Sequence, residues 1–184
     1  MKVEDGLLLY DGLGIDCLRL AGGYTLSDVE GEATCIIADA DALHRAAAEE
    51  VCLMDAPLRG MECRFLRRWI DLAPSELGRG LGLGNGLIER LEALPEATLP
   101  PYIDRAVRLR AALRMGAGPS VLDPPRGVAE LLAERLAAPG FARAGRRPPA
   151  LTLYHDAGNG RWSRIPTVPN VVLLRSRRAP ERAP

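Results

Sequence analysis

Residues 78–86 read GRGLGLGNG, inside the longer stretch DLAPSELGRGLGLGNGLIERLEA that spans 71–93. Glycine stands at every second position. Such a ladder is either a loop that cradles a phosphate or two short helices about a tight turn. A P-loop requires G-x-x-x-x-G-K-[ST], because its lysine must reach the β- and γ-phosphates. The chain has no lysine beyond Lys2. A dinucleotide fingerprint requires G-x-G-x-x-G directly after a buried strand. Gly80-x-Gly82 meets Gly84 one position too early, and Gly82-x-Gly84 meets Leu87 where the third glycine belongs. The stretch before it is an arginine-rich amphipathic pattern rather than a strand. The phosphate reading fails.

The helical reading fits without adjustment. With Gly82 as the turn residue, Gly78 supplies the small residue that lets two helices approach. Leu77, Leu81 and Leu83 fill the flanking apolar positions, and Ile88 and Leu91 fall where the second helix must turn inward. Two helices packed steeply around a short turn need this pattern. Pro74 suits a first helical position, and Glu76 supplies the far half of a capping box.

The segment LRGMECRFLRRWIDLAPSELGRGLGLGNGLIERLEA, with its FLRR and SEL motifs, resembles the helix-turn-helix of phage-repressor-type (XRE-like) bacterial regulators, including antitoxins of that group. LGIDCLRLAGGY and CIIADADALHRAAAEEV resemble the leader domain of one subgroup, so the likeness covers roughly 10–115. It implies a transcriptional regulator that binds double-stranded DNA, as a homodimer on a two-fold site. The DNA-binding set it implies is Ser75, Asn85 and Gly86 with Arg64, Arg67, Arg68, Arg79 and Arg90. The arginines would meet phosphates, and Asn85 can read adenine. The chain departs from the pattern at Ala73 and Pro74, where the family has a serine cap and a phosphate-binding glutamine. It departs again at Gly84, Asn85, Gly86 and Leu87, where base-reading side chains belong. Gly84 serves here as the expected cap of the second helix, while Glu89 and Glu92 would face phosphates unfavourably. These departures support an alternative: a protein-interaction module, antitoxin-like or an adaptor, that kept the scaffold and lost specific DNA binding.

Charge is balanced overall but not along the chain. Residues 1–57 carry three basic and twelve acidic groups, 58–116 carry ten and seven, and 117–184 carry eleven and five. The basic two-thirds either faces nucleic acid or meets the chain's own acidic front. No apolar run approaches a membrane span, and the acidic start of MKVEDGLLLYDG is unlike a signal peptide, so a cytoplasmic location is expected. Cys17, Cys35, Cys52 and Cys63 form no close ligand pair and read as buried thiols. No cofactor or metal is expected.

Three short strands are expected over 6–37, with turns at Gly12, Gly14, Gly22, Gly23 and Gly31. A helix follows, capped by Asp39 or Asp41, with Leu43, Ala46, Ala47, Glu50 and Val51 on its apolar face. Helices are expected from residue 59 and then at 74–81, 85–94, 100–115 and 125–138. Residues 139–149 read as a linker, and Leu151, Leu153 and Trp162 as the inner side of a hairpin around Gly158-Asn159-Gly160. VPNVVLL is a candidate last strand. The fold class is α+β: a small N-terminal strand/helix leader (1–57), a central helical bundle with the helix-turn-helix (58–116), and a C-terminal helix plus β-hairpin (117–175). A disordered basic tail is expected over 176–184. Residues 119–175 offer a surface for a protein partner. His155-Asp156 is the one enzyme-like pair. An aspartate beside a hairpin usually braces the turn, and no nucleophile, carboxylate pair or metal cluster accompanies it, so no catalytic role is expected.

Overall fold

Asp5-Gly6 is the two-residue turn that starts the fold. Both residues have positive φ, 52° and 78°, the geometry an Asp-Gly hairpin turn requires. It joins Lys2–Glu4 (β1) to Leu7–Leu9 (β2), and Leu18–Leu20 (β3) pairs antiparallel with β2. Tyr24–Val29 (β4) and Glu32–Ile37 (β5) form a separate two-stranded ribbon. The front of the chain therefore holds five strands, not three: the Asp5-Gly6 turn adds β1, and the run 15–26 divides at Ala21–Gly23 into β3 and β4. A computed structural model describes residues 2–29, 32–116, 126–141 and 148–165.

Ala40–Leu53 (α1) is capped by Asp39, whose Oδ1 accepts from Ala42 N at 3.0 Å. The expected apolar face is buried, but so are Ala48, Glu49 and Cys52. A helix buried on nearly all sides lies between layers. Strands pack on one side of α1, and Gly60–Trp69 (α2), Pro101–Met115 (α5) and Val128–Ala137 (α6) pack around it. Pro74–Gly80 (α3) and Leu87–Glu92 (α4) pack on each other, with α4 also against α2.

Leu151–Asp156 (β6) and Arg161–Arg164 (β7) form the expected hairpin. Asp156 Oδ1 accepts from Gly158 N at 2.9 Å, as the turn reading of that aspartate requires. The hairpin does not stand apart. β6 runs parallel to β3, giving one five-stranded sheet in the order β1-β2-β3-β6-β7. The sheet thus crosses the boundaries placed at 57 and 117, because the leader alone has too little apolar surface to close a core. Trp162 is fully buried and donates from Nε1 to the carbonyls of Ala38 (3.0 Å) and Asp39 (3.2 Å). Its ring and the His155 Cβ fill the space a side chain at Gly23 would need, and Gly23 has φ +75°. The α+β class with N-terminal strands, helices and a C-terminal hairpin holds. VPNVVLL and the basic tail lie outside the described residues.

Two buried arginines tie the layers together. Arg108 is fully buried and donates to Asp104 Oδ1 at 2.5 Å, while Asp104 Oδ2 accepts from Leu58 N at 2.7 Å. The other Arg108 nitrogens donate to the carbonyls of Val51, Cys52, Met54 and Ala56. The guanidinium thereby satisfies the carbonyls left open at the end of α1. Arg59 binds Asp16, Glu62 and Glu96. The Arg59–Asp16 and Arg164–Glu50 pairs join basic groups of the later chain to acids of the first third.

Candidate nucleic-acid interface

The connection between α3 and α4 starts from a Schellman end of α3. Leu83 N donates to Gly78 O at 2.8 Å and Gly82 N to Arg79 O at 3.1 Å, with Gly82 at φ +68°. This pairing closes a helix through a left-handed residue, so Gly82 is the turn glycine. Ala73 contributes no side-chain cap to α3. Instead Glu76 accepts from Ala73 N at 2.6 Å, and Pro74 opens the helix. Leu77, Gly78 and Ile88 are buried between α3 and α4. A Cβ placed on Gly78 would sit 3.6 Å from Ile88 Cγ1, an ordinary contact. The approach needs a small residue there, and alanine would serve.

The second helix differs from the expected 85–94. It begins at Leu87, after Gly86 at φ 73°, and ends at Glu92. Gly86, not Gly84, is its N-cap, because the chain must turn through a left-handed residue to enter α4. Asn85 and Gly86 consequently lie in the turn ahead of the helix rather than on it. Asn85 is exposed. The Arg90 guanidinium folds back toward this turn, its Nη1 3.9 Å from where a Gly86 Cβ would stand. Ser75, Arg79, Glu89 and Arg90 are exposed on the same helix pair.

The three arginines of α2 have different surroundings. Arg67 is 11 % exposed and grips Glu92 with both ends of its fork, Nε to Oε1 at 2.7 Å and Nη2 to Oε2 at 2.8 Å. Its Nη1 donates to Leu72 O at 2.7 Å. The bonds to Glu92 raise the Arg67 pKa against the opposing effect of burial. Arg67 therefore has no donor fork left for a phosphate, and Glu92 turns inward rather than toward DNA. Arg64 donates to the Glu92 carbonyl, closing the end of α4, where a cation suits the helix dipole. Arg68 is exposed. Of the eight residues read from sequence, Ser75, Arg79, Asn85, Gly86 and Arg90 belong to α3, α4 and the connection between them. Arg64 and Arg67 anchor α4 from α2.

Sequence reasoning missed Gly60. A Cβ there would collide with the carbonyl oxygens of Leu91 and Leu94, and Gly60 N donates to Ala97 O at 3.0 Å. The start of α2 thus lies directly on the end of α4. No spacing rule exposes this contact; a glycine opening a helix reads as an ordinary cap.

One group of potential metal ligands occurs among the described residues: Asp16, Cys17 and Glu62, whose ligand atoms lie within 4.8 Å of one another. The Arg59 guanidinium bonds to both carboxylates, so the cluster already holds a cation. Burial opposes the Arg59 charge, but the bonds to Asp16 and Glu62 outweigh it and raise its pKa. Burial pushes the Cys17 thiol up to about 12, and those of Cys52 and Cys63 likewise. All four cysteines are free thiols. His155 packs against Trp162 with ring centroids 5.3 Å apart and planes tilted by 57°, while Asp156 braces its turn. No helix among the described residues is long and apolar enough to cross a membrane.

Compared with protein-family models, curated proteins and solved structures, the chain matches none.

Proposed function

We propose that the chain is a helix-turn-helix DNA-binding regulator of the phage-repressor type, acting as a homodimer on double-stranded DNA. One observation carries the reading: α3 and α4 pack about Gly82 with Leu77, Gly78 and Ile88 inside, while Ser75, Arg79, Asn85 and Arg90 stay exposed. Arg79 and Arg90, with Arg68, supply phosphate contacts, and Asn85 supplies base readout from the turn at the start of α4. The test is fluorescence anisotropy with duplex fragments taken upstream of the gene, titrated at several salt concentrations. Binding should weaken steeply as salt rises, and Arg79→Ala or Arg90→Ala should each lower the log–log salt slope by about 1. If no fragment binds with an inverse salt dependence, the proposal fails.

A second reading is a protein-interaction module on the same scaffold. It is favoured by the brevity of α4, six residues, and by the exposed Glu89 beside glycines that carry no reading side chain. Residues 128–137 and 151–164 bury Leu131, Leu132, Leu151, Leu153 and Trp162 in the chain's own core, so the described part of 119–175 has only its outer side to offer a partner. Under this reading, Glu89→Arg abolishes capture of a host protein and the wild-type chain retards no DNA.

A further inference from the structure

Between α1, α6 and β7 lies a cavity of about 280 Å³, lined by Glu50, Leu53, Arg126, Leu131, Glu134, Arg135 and Arg164. Three guanidiniums face two carboxylates there, an excess of one positive charge. Two of the arginines are held in place: Arg164 Nε lies 3.4 Å from Glu50 Oε1, and Arg126 Nη1 lies 3.0 Å from Glu134 Oε2. Arg135 is exposed and forms no ion pair among the described residues. Leu53 and Leu131 are nearly buried and give the cavity an apolar wall.

We propose that this cavity binds a small organic monocarboxylate with a short branched apolar tail. The carboxylate is received by Arg135 and Arg164, and the tail lies on Leu53 and Leu131. A guanidinium fork matches a carboxylate in geometry as well as charge. Pockets of this kind join an apolar wall to a few convergent polar groups. A purely inorganic anion would leave the leucine wall uncovered, and a cation would meet the excess positive charge. Burial raises the Glu50 carboxyl against the pull of Arg164 and Arg135. The site is independent of the DNA reading, and its test contains no DNA.

The experiment is isothermal titration of the full chain with sodium 4-methylpentanoate at constant ionic strength, with 3-methylbutylamine hydrochloride as the cationic counterpart. Saturable binding to one site is expected, with a Kd of about 1 mM or tighter. Arg135→Gln should raise that Kd about tenfold through loss of one charge-assisted contact. The exposed Arg135 makes this variant safe for folding, and circular dichroism checks it. Arg110→Gln on α5 serves as the remote control and should leave the Kd unchanged. No saturable binding overturns the proposal. So does binding that Arg135→Gln leaves intact, or equal binding of the amine.

Discussion

Glycine-to-alanine substitution should have opposite signs at two positions twenty residues apart. At Gly80 no heavy atom lies within 4 Å of an added Cβ, and the backbone is helical. Alanine there restricts only the unfolded chain and should stabilise by about 0.5–1 kcal/mol. At Gly60 the same methyl meets backbone carbonyls of Leu91 and Leu94, which have no rotamer to change. Gly60→Ala should destabilise by about 2 kcal/mol, the cost of overpacking a rigid contact. Urea midpoints at unchanged m-value measure both; equal effects of the same sign would show that the α2–α4 contact is not as tight as described.

The element scale turns on how α4 is held. Six residues make fewer than two helical turns, too few to persist alone in water. α4 is instead fastened at its end by Arg64 and Arg67 of α2 and capped at its start by Gly86. Arg67→Ala should therefore act on stability, not on DNA contact. It leaves the buried Glu92 carboxylate with only the more distant Arg64 Nε, 3.8 Å away, and should cost about 3 kcal/mol, with Glu92→Gln in the same chain recovering part of the loss. Arg79→Ala, on the exposed side of α3, should change stability by no more than about 0.5 kcal/mol. The pair of variants separates scaffold from surface: a DNA defect in Arg67→Ala without a fall in stability would return that arginine to the interface.

At the scale of the molecule, the C-terminal hairpin completes the N-terminal sheet. Removing residues 148–184 uncovers β3 along its edge and empties the site of Trp162, an aromatic group whose burial contributes on the order of 4 kcal/mol. That is a large part of a domain's total stability. The truncated chain should lose cooperative unfolding and protection of amides in β2 and β3, followed by hydrogen exchange. A truncation that left those amides protected would mean the leader folds without its partner strands. For the same reason, a truncation at 119 tests folding before it tests partner binding.

Local rules made much of this legible. Gly82, Pro74, Asp39 and Asp156 act over three or four residues through caps and turns, and the alternation of Leu151, Leu153 and Trp162 marks an inner face without knowing what it faces. The turn at Gly82 between α3 and α4 was therefore readable from spacing, and so was the hairpin. Contacts between residues far apart in sequence were not. That Arg67 belongs to Glu92, that Arg108 closes the end of α1, that Gly60 lies on Leu91 and that β6 joins β3 depend on which surfaces meet. Sequence distance carries no trace of that choice. The glycine ladder shows both limits: Gly82 was determined by its own turn, while Gly86 received its role only when α4, anchored from α2, began two residues later than its pattern suggests.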